Sequence, residues 1–219
     1  MERWVLLRKG ADFEAIGKKY QISPRLACLI RNRDVIGEEA IDRYLNGTIS
    51  DLYDGMLMKD MDKAIDILKE KILEDKKIRV IGDYDIDGVN ATYILLEGLE
   101  RLGADVDSDI PDRISDGYGL NRHLVERAYK AGVDTIITCD NGIAAADEIA
   151  YGKEMGMTVI VTDHHEIPFD ERDGEKRYRI PPADAVMDPK QPDCLYPFKG
   201  LCGAAVAYKL MEALWESMG

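Results

Sequence analysis

The sequence predicts an α/β protein with a doubly wound, mostly parallel sheet that is preceded by a small helical region. Three observations favour this fold class. From Ile78 onward, apolar runs typical of strands alternate with helical patterns, as in βαβ units. Four of these runs end at acidic or acid–histidine clusters, and the region before Ile78 shows helical patterns. We expect a helical amino-terminal region at 1–55 and an α/β domain at 56–219.

The helices before the sheet begin at recognisable signals. Ser23 is a typical N-cap, and Pro24 suits the first helical position, where no amide donor is required. Residues 37–46 form the next predicted helix, which stops at an Asn-Gly pair. A longer helix from 59 to about 75 carries an apolar stripe at helical spacing.

Four apolar runs in the second region are interpreted as parallel strands, at 78–82, 135–139, 158–162 and 185–187. Helices are predicted at 88–102, 121–131, 144–155 and 202–217. The charged segment between Pro168 and Pro182 is predicted to be a surface loop. The small residues within 203–207 are interpreted as a place where helices pack closely.

The composition limits which partners and which cellular compartment are expected for this protein. The chain of 219 residues carries 42 acidic and 29 basic side chains, for a net charge of −13. Such an acidic chain binds a polyanion only through a local basic patch or bridging metal ions. No run approaches the roughly 20 apolar residues of a membrane span, so no membrane partner is expected. The four cysteines lack metal-binding spacing, which favours reduced thiols in a cytoplasmic protein.

The acidic clusters follow the ends of the predicted strands. They are Asp83-Tyr84-Asp85-Ile86-Asp87, Asp140-Asn141-Gly142, Asp163-His164-His165 and Asp188. Because ligands bind outside the carboxyl ends of parallel strands, the four clusters are expected to converge on one site. Several carboxylates in one crevice repel one another unless cations neutralise them, so a divalent metal site is the natural interpretation.

The first cluster, from Asp83 to Gly88, fits three known patterns. A calcium-binding loop needs glutamate at its twelfth position, which is Ile94 here, and it follows a helix rather than a strand. A haloacid-dehalogenase-type phosphatase also ends a strand in Asp-x-Asp-Gly, but no convincing later acidic pair accompanies it. The third pattern is the acidic triplet of a metal-dependent phosphoesterase. A solvated acidic turn is a poor explanation for three acids directly after an apolar strand.

The cluster Asp163-His164-His165 separates these alternatives. A lone histidine such as His123 is usually a surface or core residue. Two adjacent histidines after a strand-ending aspartate are harder to explain structurally. One imidazole can bind a metal while the other contacts a substrate phosphate, so the triplet favours phosphoester chemistry.

These motifs, in this order, resemble the DHH phosphoesterase superfamily, and most closely its RecJ-type single-stranded-DNA-specific exonucleases. Further segments that carry the resemblance are 23–27, 110–113, 117–120, 188–190 and 196–203. Relatives that act on small substrates typically have a histidine where this chain has Ile81, so this position favours the RecJ-type group.

The resemblance implies a Rossmann-like DHH domain that removes nucleotides from single-stranded DNA, from the 5′ end, in repair or recombination. RecJ-like proteins continue with a further aspartate motif, a second catalytic domain and a nucleic-acid-binding barrel. The domain is therefore expected to be truncated at its carboxyl end, and this chain alone to be weakly active or inactive without those partner domains. Alternatives within the superfamily are a phosphodiesterase for short oligonucleotides or cyclic dinucleotides and a noncatalytic scaffold.

The metal-binding roles follow as hypotheses. We expect Asp85, Asp87, Asp140 and His164 to bind one or two Mn²⁺ or Mg²⁺ ions, with Asp83 close behind. Two ions about 3.5–4 Å apart would activate water and hold the scissile phosphate for in-line attack. Asp140 is the candidate for bridging both ions.

The remaining candidates concern the substrate. His165 is expected to contact the phosphate or assist the leaving oxygen, which makes Asp140, His164 and His165 the catalytic candidates. Arg113 can pair two phosphate oxygens, although a surface salt bridge is nearly as good an interpretation. Tyr118 either stacks on a base or packs in its turn. Asp188 either supports the site or caps the turn before Pro189.

Overall fold

The computed structural model describes residues 9–112, 117, 119–172 and 174–219. The chain divides into two compact units, with the boundary between Leu52 and Tyr53. The sequence places this boundary after residue 55. Among the described residues, no helix is long and apolar enough to cross a membrane.

The first unit is helical, as predicted. It contains α1 (Phe13–Tyr20), α2 (Pro24–Asn32), α3 (Glu38–Asn46) and a 3-10 turn at Ile49–Asp51. The predicted cap of α2 is present, since the Ser23 hydroxyl accepts the N–H of Leu26 at 3.2 Å. The side chains of Ala27, Ile30 and Ile41 are the buried apolar groups of these helices.

The second unit alternates helices with strands. Its helices are α4 (Met61–Leu73), α5 (Ile86–Arg101), α6 (Arg122–Lys130), α7 (Ala146–Glu154) and α8 (Gly203–Met218). Its strands are β1 (Ile78–Ile81), β2 (Val106–Asp109), β3 (Thr135–Cys139), β4 (Thr158–Thr162), β5 (Phe169–Arg172), β6 (Glu175–Tyr178) and β7 (Ala185–Met187). A 3-10 turn at Gly55–Leu57 precedes α4.

The main sheet has five parallel strands in the order β2-β1-β3-β4-β7. The predicted doubly wound α/β fold is confirmed. All four predicted strands are present, while the edge strand β2 has the polar sequence Val-Asp-Ser-Asp and carries no apolar signal. The wholly buried β3 is the central strand, as its uninterrupted apolar and threonine sequence requires.

Two hydrophobic clusters cover the two faces of the sheet. One contains side chains of α4, α5 and α8 together with Val80 and Ile137. The other contains side chains of α6 and α7 together with Ile81 and Ile136. Successive side chains of a strand point to opposite faces, which is why the neighbours Val80 and Ile81 belong to different clusters.

The prediction of a surface loop between Pro168 and Pro182 is wrong. Strands β5 and β6 pair there as an antiparallel hairpin. Opposite charges face one another across the hairpin, as in Asp170 opposite Arg177, and the rings of Phe169 and Tyr178 lie 5.9 Å apart. The high charge of the segment conceals this cross-strand pairing from an analysis of apolar runs.

Truncation of a buried side chain in the central strand β3 tests the assignment of the core. We expect Ile137→Ala to lower the free energy of unfolding by about 2–5 kcal/mol, because Ile137 is fully buried between the sheet and its helices. Chemical denaturation would measure the change. In the control variant Leu73→Ala, where the residue is 80% exposed, the loss should stay within about 0.5 kcal/mol. Equal losses in the two variants would contradict this assignment of the core.

Candidate metal centre

Four aspartates follow the carboxyl ends of four adjacent strands. Asp83 follows β1, Asp140 follows β3, Asp163 follows β4 and Asp188 follows β7. All four residues are almost fully buried, with exposures of 1%, 2%, 1% and 0%. The clusters therefore converge at one edge of the sheet, as the strand pattern predicts.

Asp85 is the N-cap of α5. Its Oδ1 atom accepts the N–H groups of Gly88 at 2.9 Å and Asp87 at 2.8 Å, and these bonds lower the pKa of the carboxyl group. Position 88 requires glycine, because a Cβ atom there would lie 2.5 Å from the carbonyl oxygen of Asp83. This tight turn helps bring ligand atoms of Asp83, Asp85 and Asp140 within 4.8 Å of one another.

Asp140 is held in an uncommon backbone conformation, with φ +59°. Its N–H donates to the carbonyl oxygen of Thr162 at 3.0 Å. The side-chain amide of Asn141 donates to the carbonyl oxygens of Ile81 at 3.2 Å and Cys139 at 3.1 Å. The turn after β3 is thus tied to both neighbouring strands, and this fixes the position of the Asp140 carboxylate.

His164 lies directly beside the acidic cluster. Its Nε2 atom is 2.9 Å from Oδ1 of Asp140 and 3.5 Å from Oδ2 of Asp87. Ligand atoms of Asp140, His164 and His165 also lie within 4.8 Å of one another. Asp140 is therefore common to two groups of potential metal ligands, the position that a bridging residue would need.

Asp163 holds the His165 ring in place. Its Oδ1 atom lies 2.7 Å from Nδ1 of His165 and accepts the N–H of His164, while Oδ2 accepts the N–H of Ile143 at 2.9 Å. The bond to Asp163 raises the pKa of His165 to about 8. Burial raises the pKa of Asp163, but the bonds from His165 and the backbone amides outweigh it and lower the pKa overall. The bond at Nδ1 fixes the orientation of the ring.

The electrostatics of the site fit a cation. Burial, followed by repulsion from Asp87 and Asp85, raises the pKa of Asp140 to about 7. Within the part of the chain that the structure describes, no lysine or arginine forms an ion pair with Asp85 or Asp140. Carboxylates clustered next to an imidazole have the donor chemistry of a Mn²⁺ or Mg²⁺ site.

Asp188 is the fully buried acid that follows β7. Its Oδ1 atom accepts the N–H of Lys190 at 2.7 Å, so it caps the turn after β7. Its Oδ2 atom is buried without a hydrogen-bond partner among the described residues, and burial raises the pKa of the group to about 7. Asp188 also lies close enough to Asp163 and His165 to influence the site electrostatically.

The other sequence-predicted residues differ in their placement. Asp87 lies within reach of His164, but both of its carboxylate oxygens accept backbone N–H groups of α8, from Gly203 at 2.7 Å and Ala204 at 2.9 Å. Arg113 and Tyr118 lie outside the described residues. Their predicted contacts with substrate therefore stay predictions.

A cavity of about 260 Å³ opens beside the histidines. Its walls include Leu120, the turn at 142–145, Glu148 and His165. The lining is mostly apolar, and His165 contributes a polar edge. A substrate group held there would lie next to the imidazole.

Two features that position the site residues have no predicted role of their own. One is Asp163, whose carboxylate orients His165; its place two residues before that histidine is the available signal. The other is the amino end of α8, which the small residues from Gly203 mark only as a place of close packing. The bond from Ile143 to Asp163 and the bonds from the amino end of α8 to Asp87 join residues far apart in the chain, so no local pattern reveals them.

Known proteins are similar to this chain in sequence and in fold. A model of the DHH family, amino-terminal domain, matches residues 77–218. The chain is 40% identical over 213 residues to the single-stranded-DNA-specific exonuclease RecJ of Bacillus subtilis (strain 168), covering 97% of this chain and 26% of that protein. It is 32% identical over 215 residues to RecJ of Escherichia coli (strain K12), covering 98% of this chain and 35% of that protein.

Solved structures agree with these relatives. RecJ from Thermus thermophilus in complex with Mn²⁺ superposes with a TM-score of 0.68 at 30% identity, over 99% of this chain and 29% of that one. An exonuclease RecJ bound to manganese gives 0.63 at 37% identity, over 74% and 39%. The resemblance to RecJ-type members of the DHH superfamily is confirmed. The chain spans about a quarter to a third of the length of the curated relatives named here.

The buried acids predict how the stability of the metal-free protein depends on pH. Asp140 and Asp188 have folded pKa values of about 7 against an ordinary 3.8, and His165 about 8 against 6.5. Between pH 5 and pH 8 these three groups therefore bind more protons in the folded state than in the unfolded state. We expect the free energy of unfolding, measured by denaturation with a chelator present, to fall as the pH rises from 5 to 8. Asp140→Asn should flatten this slope, and an increase in stability over that range would contradict the assignment.

Removal of the negative charge of Asp163 tests whether this carboxylate raises the pKa of His165. We expect Asp163→Asn to lower the pKa of His165 from about 8 toward 6.5, because the hydrogen bond and charge that favour the protonated ring are weakened. Histidine-selective NMR titration would measure the change. The control Glu166→Gln removes an exposed acid that pairs with Lys190 and should leave the His165 titration in place. An unchanged His165 pKa in Asp163→Asn would contradict the prediction.

Proposed function

The chain belongs to the DHH family, and on that premise we propose that it is the metal-binding catalytic part of a 5′-to-3′ single-stranded-DNA exonuclease. The observation that carries the proposal is the convergence of Asp140, His164 and the acids after β1 at one edge of the sheet. The 40% identity to a RecJ exonuclease over 97% of the chain supports the substrate class. The proposed setting is DNA repair or recombination in the cytoplasm.

The residues proposed to hold metal are Asp83, Asp85, Asp87, Asp140 and His164. They offer several carboxylates, one imidazole and no thiolate, a set that suits Mn²⁺ or Mg²⁺. RecJ structures with Mn²⁺ and with Mg²⁺ support the same choice. Two such ions, when bound, would supply Lewis acidity and activate a water molecule.

The chain's own residues prepare the site for phosphodiester hydrolysis. Asp140 belongs to both ligand groups, which supports its role as the bridging residue. Asp163 fixes the His165 ring through Nδ1, so Nε2 is oriented for the substrate. In the metal-free protein the bond to Asp163 raises the pKa of His165 to about 8, and the ring is proposed to contact a phosphate oxygen or assist the leaving oxygen.

The position of Ile81 argues against a small-substrate phosphodiesterase. Relatives of that kind place a histidine there, whereas the Ile81 side chain is fully buried in the core cluster of α6 and α7. A noncatalytic scaffold would be expected to have lost metal ligands. Every predicted ligand within the described residues is an acid or a histidine that lies at the site, which disfavours that alternative. Contacts of Arg113 and Tyr118 with DNA are part of the proposal, as is cooperation with the domains that RecJ relatives carry beyond the matched segment.

Calorimetric titration with Mn²⁺ tests the metal centre. We expect the wild-type chain to bind Mn²⁺ and Asp140→Ala to weaken the affinity by a factor of about 100 or more, because one residue contributes to both ligand groups. The exposed control Asp105→Ala should bind as the wild type does. Equal affinity in the Asp140 and Asp105 variants would sink the proposed site.

A nuclease assay tests the chemistry. Asp140→Asn is expected to slow Mn²⁺-dependent release of nucleotides from single-stranded DNA by about 100-fold or more relative to the unsubstituted protein. The variant retains the size of the side chain but removes its negative charge. Unchanged nucleotide release would contradict the enzyme assignment.

A further inference from the structure

The amino end of α8 meets two of the proposed metal ligands. The N–H of Gly203 donates to Oδ2 of Asp87 at 2.7 Å, and the N–H of Ala204 donates to Oδ1 at 2.9 Å. Both donors belong to the first turn of a helix, where amides lack partners within the helix and the dipole is positive. Asp87 itself lies in the first turn of α5. A carboxylate from one helix thus caps another.

Gly203 also lies directly against Asp140. A Cβ atom at position 203 would be 2.7 Å from Cβ and Oδ1 of Asp140 and 2.8 Å from its Cγ. Gly203 is not among the residues with positive φ, so the requirement for glycine is one of space rather than of backbone conformation. The backbone of Asp140 has little freedom to move away, because the residue is buried and its N–H is bonded to Thr162, so a clash would turn the carboxylate instead.

We propose that Gly203 is a positioning residue of the metal centre, and that the amino end of α8 sets the orientation of Asp87 and the approach of Asp140. This inference rests on the proposed function of the site. Each carboxylate oxygen has two lone pairs, so an oxygen of Asp87 that accepts an amide retains a lone pair for a cation. The same two amides offset part of the repulsion between the acids.

The packing of α8 makes this arrangement rigid. Val206, Leu210 and Leu214 are fully buried in the core cluster shared with α4 and α5. The indole N–H of Trp215 donates to the carbonyl oxygen of Gly98 in α5 at 3.3 Å. A helix anchored along its length cannot shift its first turn freely, so a side chain at position 203 must displace Asp140 instead.

The first test is Gly203→Ala, with Mn²⁺ affinity measured by calorimetry. We expect an affinity about 10-fold or more below that of the wild type, because the new methyl group displaces the Asp140 carboxylate. The increase in melting temperature on adding Mn²⁺ should shrink in parallel, a readout that a uniform loss of stability does not change. Gly152→Ala is the matched helical control: its Cβ would lie 3.4 Å from Val125, an ordinary contact, and its affinity should stay within about twofold.

A second pair of variants tests the amides without adding bulk near Asp140. Ala204→Pro removes the N–H that donates to Asp87, at a position in the first turn where proline is tolerated. Ala204→Ser retains that N–H. We expect the proline variant to bind Mn²⁺ several-fold more weakly than the serine variant. This pair decides the question if Gly203→Ala does not fold.

The outcomes distinguish this inference from the proposed function. If the wild type and both Gly203→Ala and Ala204→Pro bind Mn²⁺ equally well, the positioning role is overturned while the metal site stands. Weakened binding in these variants but not in Gly152→Ala or Ala204→Ser supports the role. If the wild-type chain binds no Mn²⁺, the metal site itself is overturned, and the positioning role with it.

Discussion

Carboxylates buried at the carboxyl ends of adjacent strands repel one another, and much of the second unit is arranged to offset that repulsion. Asp83, Asp140, Asp163 and Asp188 are each at most 2% exposed, so solvent screens their charges weakly. The offsets are of three kinds: amides at the starts of helices, an imidazolium beside Asp163, and proton uptake by Asp140 and Asp188. A bound divalent cation would replace the third kind by neutralising the acids directly.

The aspartates of the site have different pKa values because their environments differ. Hydrogen bonds from backbone amides lower the pKa of Asp85, and the His165 ring and amides outweigh the effect of burial at Asp163. Burial and neighbouring acids raise the pKa of Asp140 instead. The pKa values within one site are thus shifted in opposite directions. Asp85 and Asp163 stay ionised, whereas the charge of Asp140 depends on whether a cation is bound. These opposite pKa shifts suit a site in which Asp163 orients His165 and Asp140 binds a cation.

Much of the fold follows from short-range patterns. Apolar runs mark β1, β3, β4 and β7, and their acidic ends mark the edge where the site forms, because parallel strands present their carboxyl ends together. Apolar runs do not predict strands whose pairing depends on residues elsewhere in the chain. The hairpin of β5 and β6 depends on opposite charges facing one another across strands, and β2 is a polar edge strand that pairs on one side only. Neither feature produces an apolar run.

The residue types of the site, their places after the strands and the isoleucine at position 81 can be read from the sequence. Which atoms contact one another depends on how the elements pack. Asp87 is capped by amides 116 and 117 residues later in the chain, Asp163 by the amide of Ile143, and Gly203 lies against Asp140. The physical reason is range: strand and helix periods are local properties of the chain, whereas these contacts depend on how separate elements pack.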